Sequence, residues 1–196
     1  MTSSYRMSLP PLTLETAPSE ARSMLEDAKA RLGFVPNMYA NMAHAPGLLE
    51  TYLLGYRRFR EDFGFTPAEQ EIVFLTVSML NGCSYCTAAH RMLAAKKSGV
   101  PAEVLAALAE GRPIPDPRLR ALAEFTRTLW RKRARLEAAD AEPFLAAGYG
   151  ERQILGVLLA LAVKLLSNGA NHLFQTEVDP AFRAFAEPPE GVPGEM

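Results

Sequence analysis

The sequence predicts an all-α protein, and three observations carry that expectation. No stretch alternates apolar and polar residues with the period of two that a half-buried strand requires; apolar residues instead recur three and four positions apart in one segment after another. Helix starts stand ahead of these segments. The clearest is Thr66-Pro67-Ala68-Glu69, with a threonine N-cap, proline at the first helical position and a glutamate three residues after the cap, the elements of a capping box. Helix stops close them, among them Gly33-Phe34-Val35-Pro36, Asn81-Gly82 and Ser98-Gly99.

In chain order, residues 1–17 are rich in proline and serine and read as an extended arm suited to lying on a partner. Pro18-Ser19-Glu20 opens a helix to about Leu32 with Ala21, Met24, Leu25 and Ala28 on its apolar side, and Asn37 to Ala43 reads as a short helix. The turn His44-Ala45-Pro46-Gly47 leads into a helix through Leu48, Tyr52, Leu53, Tyr56 and Phe59. An apolar helix carrying Glu71 then runs from Pro67 to Asn81-Gly82, and a second begins at once and ends near Ser98-Gly99. So short a connection makes the two antiparallel neighbours. Further helices are expected from Pro101 to Glu110, from Asp116-Pro117 through Leu119, Leu122, Phe125, Leu129 and Trp130, and from Leu136 to Ala147. Glu151 to Leu166 is apolar on nearly every side, which places it in a core or at a subunit interface. Ser167 to Gln175 reads as a separate short segment, its asparagines satisfying backbone groups at a broken helix; a short segment around Pro180 to Ala186 and a flexible tail, 187–196, complete the chain. Asn168-Gly169 echoes Asn81-Gly82 after a long apolar run, as a duplicated helical hairpin would leave, and as a common helix stop would too.

With 196 residues and 21.5 kDa the chain fits one domain, 1–196, and 48% apolar residues are ample for a core. A net charge of −1 supplies no basic field for nucleic acid. The longest apolar run, Ile154 to Leu166, is broken by Lys164 and falls short of the ~20 residues of a membrane span. The first residues lack the charged start and apolar core of a signal peptide, so a cytoplasmic protein is expected, with neither membrane nor nucleic acid as a partner. Two cysteines spaced C-x-x-C in such a chain point to redox chemistry or metal rather than to a structural staple.

Those cysteines are Cys83 and Cys86, and His90 stands four residues after the second. If Cys83 or Ser84 caps the helix, both thiols lie in or beside its first turn, on one face and within disulfide reach. First-turn N–H groups and the helix dipole favour a thiolate there, and the thiolate is the attacking species. His90 lies one turn beyond Cys86 but about two turns, ~10 Å, from Cys83, so Cys86 is the thiol it can deprotonate. Cys83, Cys86, His90 and Glu71 could instead supply four ligands to a metal, although structural zinc usually draws on two separated ligand pairs. Two cysteines buried at chance spacing are the remaining reading. Tyr85 reads as a packing or pocket residue and His44 as solvated, while His172 stays undecided. The basic runs Arg57-Arg58-Phe59-Arg60 and Arg131-Lys132-Arg133-Ala134-Arg135 read as solvated helix faces.

Glu71, Cys83-x-x-Cys86 twelve positions on, and His90 together resemble the alkylhydroperoxidase D family of the carboxymuconolactone decarboxylase superfamily, in its peroxidase-related branch. The resemblance is specific over roughly residues 46–110. It implies a redox and proton-relay site of Glu71, Cys83, Cys86 and His90, with Cys86 the peroxidatic cysteine. Tyr85 stands where the founding members carry a second histidine, so one part of that relay is altered. The expectation is a thiol peroxidase that reduces a hydroperoxide through Cys86 and Cys83, is recharged by an external dithiol and needs no haem, flavin or metal. A lyase of the carboxymuconolactone decarboxylase type, or a redox-sensing oligomeric module without turnover, are the alternatives. A homo-oligomer, a trimer or a dimer-based hexamer, is expected from the apolar Glu151–Leu166 segment, from the aromatics Tyr52, Tyr56, Phe59, Phe125 and Trp130, and from the resemblance.

Overall fold

The computed structural model describes residues 5–186, and within them there are nine α-helices and no strand. They are α1 (Ser19–Leu32), α2 (Asn37–Met42), α3 (Pro46–Asp62), α4 (Pro67–Leu80), α5 (Ser84–Lys96), α6 (Ala102–Ala109), α7 (Pro117–Arg131), α8 (Ala138–Ala146) and α9 (Glu151–Phe174), followed by a single 3-10 turn, Arg183–Phe185. The all-α expectation therefore holds.

The organising element is α4. Its capping box forms as written: the Glu69 N–H donates to Thr66 Oγ1 at 3.2 Å and the Thr66 N–H to Glu69 Oε2 at 2.8 Å. From Glu69 to Ser78 every residue is buried, because α5, α7 and α9 pack around it. The helix ends in a Schellman motif that requires the left-handed Gly82 (φ +64°), where the Cys83 N–H reaches back to the Ser78 carbonyl at 2.9 Å. Cys83, now in extended conformation, serves at once as the N-cap of α5. One tight turn thus folds α5 back on α4 and fixes where the thiols stand.

The long helix α9 departs from the expected break. It continues through Asn168-Gly169 to Phe174, so the second Asn-Gly stops nothing and the echo of a duplicated hairpin is lost. The asparagines find tertiary partners instead of backbone ones: Asn81 Nδ2 donates to Asn168 Oδ1 at 2.8 Å, and Trp130 Nε1 to Asn81 Oδ1 at 2.8 Å. A helical glycine costs only about 1 kcal/mol against alanine, which these contacts outweigh. At 24 residues α9 is long and apolar enough to span a membrane, contrary to the shorter run expected. One of its faces, however, carries Lys164, Ser167, Asn168 and Asn171 inside the protein, against α3, α4 and α5. Gly55 and Gly156 allow α3 and α9 to approach closely; a Cβ at Gly55 would lie 2.7 Å from Val163 Cγ2, and one at Gly156 2.7 Å from Phe63 Cγ.

Three further expectations need correction. The arm packs on its own chain over residues 5–17, with the Met7 N–H on the Leu173 carbonyl at 2.8 Å and the Leu12 N–H on the Ala40 carbonyl at 3.1 Å. His44 is half-buried rather than solvated: Nε2 donates to the Pro10 carbonyl at 2.8 Å and the ring stacks on Phe174. Of the aromatics taken to mark an interface, Tyr52, Phe59 and Phe125 are buried within the chain and Tyr56 is half-buried, leaving Trp130 exposed. The tail expected at 187–196 lies outside the described residues.

Candidate thiol site

Four helices, α3, α4, α5 and α9, supply the groups at and around the thiols. Cys83 caps α5; Cys86 and His90 lie on its buried face, and both sulfurs are almost fully enclosed. Glu71 comes from α4 and has no solvent exposure. Its Oε2 is 2.7 Å from His90 Nδ1 and its Oε1 accepts from Arg60 of α3 at 2.6 Å, while Arg60 also donates to the Tyr56 hydroxyl at 2.5 Å. Packing settles the approach of Glu71 to His90, which the chain alone left open.

Charges follow from these contacts. Burial alone would raise the Glu71 carboxyl, but His90 and Arg60 more than offset it, and the group is held below the ordinary carboxylate range. His90 is pushed below the ordinary imidazole range, first by burial and then by the positive charge of Lys164, against the pull of Glu71. An ionised carboxylate can only accept, so neutral His90 donates its Nδ1–H to Glu71 and keeps a free lone pair on Nε2. His90 is therefore a neutral base, oriented by a carboxylate that Arg60 keeps ionised. Arg60 was expected on a solvated face; it is instead three-quarters buried and part of this chain of groups.

The two thiols are unequal. Cys83 donates its S–H to Cys86, which pushes Cys83 up, with burial acting in the same sense. Cys86 moves well below the usual thiol value: the hydrogen bond from Cys83 leads, burial opposes, and Lys164, His90 and Ser167 add to the lowering. Asn171 Nδ2 lies 3.3 Å from the Cys86 sulfur and 3.8 Å from that of Cys83, and Ser167 Oγ is 4.0 Å from Cys86 Sγ. Among the described residues no hydrogen bond joins His90 to either thiol; its side-chain partner is Glu71. Nor do three or more His, Cys, Asp and Glu side chains gather as a metal site among the described residues.

Tyr85 points to the other side. Its hydroxyl donates to Asp179 Oδ2 at 2.5 Å, and Asp179 also accepts from the Asn37 N–H at 3.2 Å. The segment after α9 is thereby fastened over α5. A cleft of about 350 Å³, lined by Cys83, Ser84, Tyr85, Asn171, Gln175 and Thr176, opens beside the first cysteine. His172 is exposed, although it lines the same cleft.

Sequence reading missed Arg60, Tyr56, Lys164, Ser167, Asn171 and Asp179. One signal was available: Lys164 is the single charge in an apolar run, and Ser167 and Asn171 follow at +3 and +7, on its own helix face.

The profile of the carboxymuconolactone decarboxylase family matches residues 51–128, a span that holds α4, α5, Glu71, both cysteines and His90. Over those residues the chain is similar to that family. Solved structures with the same all-α fold superpose over nearly the whole chain. An alkylhydroperoxidase AhpD core, an uncharacterized peroxidase-related protein from Ralstonia eutropha JMP134, is 24% identical with a TM-score of 0.78, covering 89% of this chain and 93% of that one. A peroxidase-related protein from Silicibacter sp. TM1040 is 23% identical with a TM-score of 0.75, covering 91% and 93%. The debrominase Bmp8, as a cysteine-to-alanine variant in complex with 2,3,4-tribromopyrrole, is 18% identical with a TM-score of 0.71, covering 93% and 97%. A comparison with curated proteins gave no significant match.

Proposed function

We propose that the protein is a thiol peroxidase of the alkylhydroperoxidase D-like type, a disulfide oxidoreductase whose catalytic residues are Cys86, Cys83, His90 and Glu71. The observation that carries this reading is the placement of two buried thiols at one helix start, with Asn171 Nδ2 3.3 Å from Cys86 Sγ and 3.8 Å from Cys83 Sγ, on the helix whose His90 is held by buried Glu71.

The Cys86 thiolate attacks the terminal oxygen of a hydroperoxide. An S–O bond forms, the O–O bond breaks, and the leaving alkoxide takes a proton from solvent, relayed by His90, to depart as an alcohol. Cys83 then attacks the sulfenic sulfur; the S–S bond forms and water leaves with the proton of the Cys83 thiol. An external dithiol reduces the disulfide by exchange and is itself oxidised to a disulfide. These steps need no cofactor or metal, and a cytoplasmic setting would keep the reductant supplied. Coupled peroxide consumption with a panel of small dithiols and dithiol proteins tests the cycle. The expected result is dithiol-dependent turnover, with loss of two hydrogens from the Cys83–Cys86 peptide by mass spectrometry after peroxide alone. Equal turnover by a variant lacking both cysteines would overturn it and favour chemistry in the pocket without the thiols.

A homo-oligomer belongs to the same reading. Leu155, Leu158 and Leu165 are exposed along α9 at spacings of three and seven, and Ala162 between them is exposed too. Light scattering should give a mass at a multiple of 21.5 kDa, a trimer or a dimer-based hexamer, and Leu158→Glu with Leu165→Glu should release monomers. A monomer at micromolar concentration for the unaltered chain would refute the assembly.

A further inference from the structure

We infer that Lys164 is the resident counter-cation of the Cys86 thiolate. The inference deepens the proposed function and rests on its reading of Cys86 as the reacting thiol.

Lys164 is 1% exposed, in the middle of the long apolar helix α9. An ammonium withdrawn from water costs several kcal/mol unless a negative partner offsets it. Among the described residues no carboxylate forms an ion pair with it. Glu71, the buried acid of the site, already has one oxygen on Arg60 and the other on His90. The Phe74 ring lies 5.5 Å from Nζ, but a cation–π contact contributes at most about 2 kcal/mol. The nearby phenols offer no charge, since burial pushes Tyr39, Tyr52, Tyr56 and Tyr85 up and keeps them neutral. Asp179 is itself raised by burial and is held behind the Tyr85 hydroxyl.

Geometry directs the ammonium to the thiol. Lys164, Ser167 and Asn171 share one face of α9, and Ser167 and Asn171 both reach the Cys86 sulfur. Phe74, which Lys164 touches, lies 4.8 Å from the His90 ring, centroid to centroid. What remains to balance the charge is Cys86, whose sulfur receives Asn171 from α9 and Cys83 from its own helix. The charge of Lys164 favours the thiolate at Cys86 and opposes protonation of His90. One cation therefore keeps the nucleophile ionised and the base neutral. Lys164 is a positioning residue in this scheme, since it acts through Cys86.

The titratable groups facing Cys86 are Cys83 and His90 on α5, Tyr85 with Asp179 beyond it, Tyr39 and Tyr52 from α2 and α3, and Lys164 from α9; Glu71 and Arg60 stand behind His90. The test uses the full reduced chain and peptide-resolved alkylation by iodoacetamide across pH. In Lys164→Met the pH midpoint for Cys86 should rise by at least about one unit, making alkylation near neutral pH about tenfold slower, and Lys164→Arg should restore most of it. An unchanged midpoint in folded Lys164→Met would overturn the inference, as would a Lys164→Arg midpoint equal to that of Lys164→Met. Should Lys164→Met not fold, the unaltered protein carries the test: the Lys164 Cε resonance should shift with the Cys86 alkylation midpoint, and a resonance flat through that range refutes the pairing. Neither readout uses peroxide. A raised midpoint in a protein without peroxide turnover would retain the ion pair and remove the peroxidase reading, whereas turnover with an unmoved midpoint would do the reverse.

Discussion

Cys86→Ser should reduce dithiol-dependent peroxide consumption to the uncatalysed background and abolish the fast alkylation near neutral pH. Cys83→Ser should stop the cycle while leaving one fast thiol. The asymmetry follows from the hydrogen bonds. Cys86 receives the S–H of Cys83 and the amide of Asn171 and lies in the field of Lys164, so its thiolate is favoured; Cys83, as the donor, is disfavoured as an anion. Removing the nucleophile removes the whole chemical step, a loss of roughly 10⁶-fold where such groups act as a unit. Removing Cys83 leaves the first step intact, and the Cys86 sulfenic acid, with no neighbour to condense with, should be trapped by dimedone as a mass adduct. Fast alkylation at Cys83 in the Cys86→Ser variant would reverse the roles of the two cysteines and leave the redox chemistry standing.

Glu71→Gln should have the next largest effect, on turnover and on stability together. The carboxylate is fully buried between a guanidinium and an imidazole. A neutral amide leaves Arg60, three-quarters buried, without its counter-charge, which should cost about 3 kcal/mol and lower the melting temperature by roughly 10 °C. It also frees His90 to change tautomer or turn, and misplacing a general base typically loses 10²–10⁴-fold in rate. The pH dependence separates this from simple destabilisation. In the folded chain His90 lies below its ordinary 6.5 and Glu71 below 4.5. Between each folded value and the ordinary one the unfolded chain binds more protons, so stability falls as pH falls, first below about 6.5 through His90 and then below about 4.5 through Glu71. Glu71→Gln lacks the second loss, so its stability deficit should narrow as pH drops below about 4.5. A deficit that stayed constant from pH 7 to pH 4, measured by thermal melts, would mean that Glu71 is not ionised in the folded protein.

Much of the fold could be read from local signals. The capping box at Thr66, the left-handed Gly82 and Asp116 as a helix cap act within a few residues, and each appears where the chain announces it. The i, i+4 spacing of Cys86 and His90 is likewise local, and it puts both on one buried face of α5. Long-range packing decided the rest. The Asn168-Gly169 stop was overridden because tertiary partners for Asn168 and Asn171 outweigh the modest helix cost of that pair. Arg60 looked like one cation in an exposed basic run, until the packing of α3 against α4 brought Glu71 within 2.6 Å of it.

Capping and helical periodicity depend only on near neighbours, so the helical class, and the two cysteines and a histidine sharing the start of one helix, are legible along the chain. Which groups surround the thiols depends on packing between distant segments. Burial sets the charge state of each member, and burial depends on which faces of α3, α4 and α9 meet. That is why Lys164, an interruption in an apolar run when read along the chain, becomes in the folded protein a buried cation without a carboxylate, on the helix face that holds Cys86.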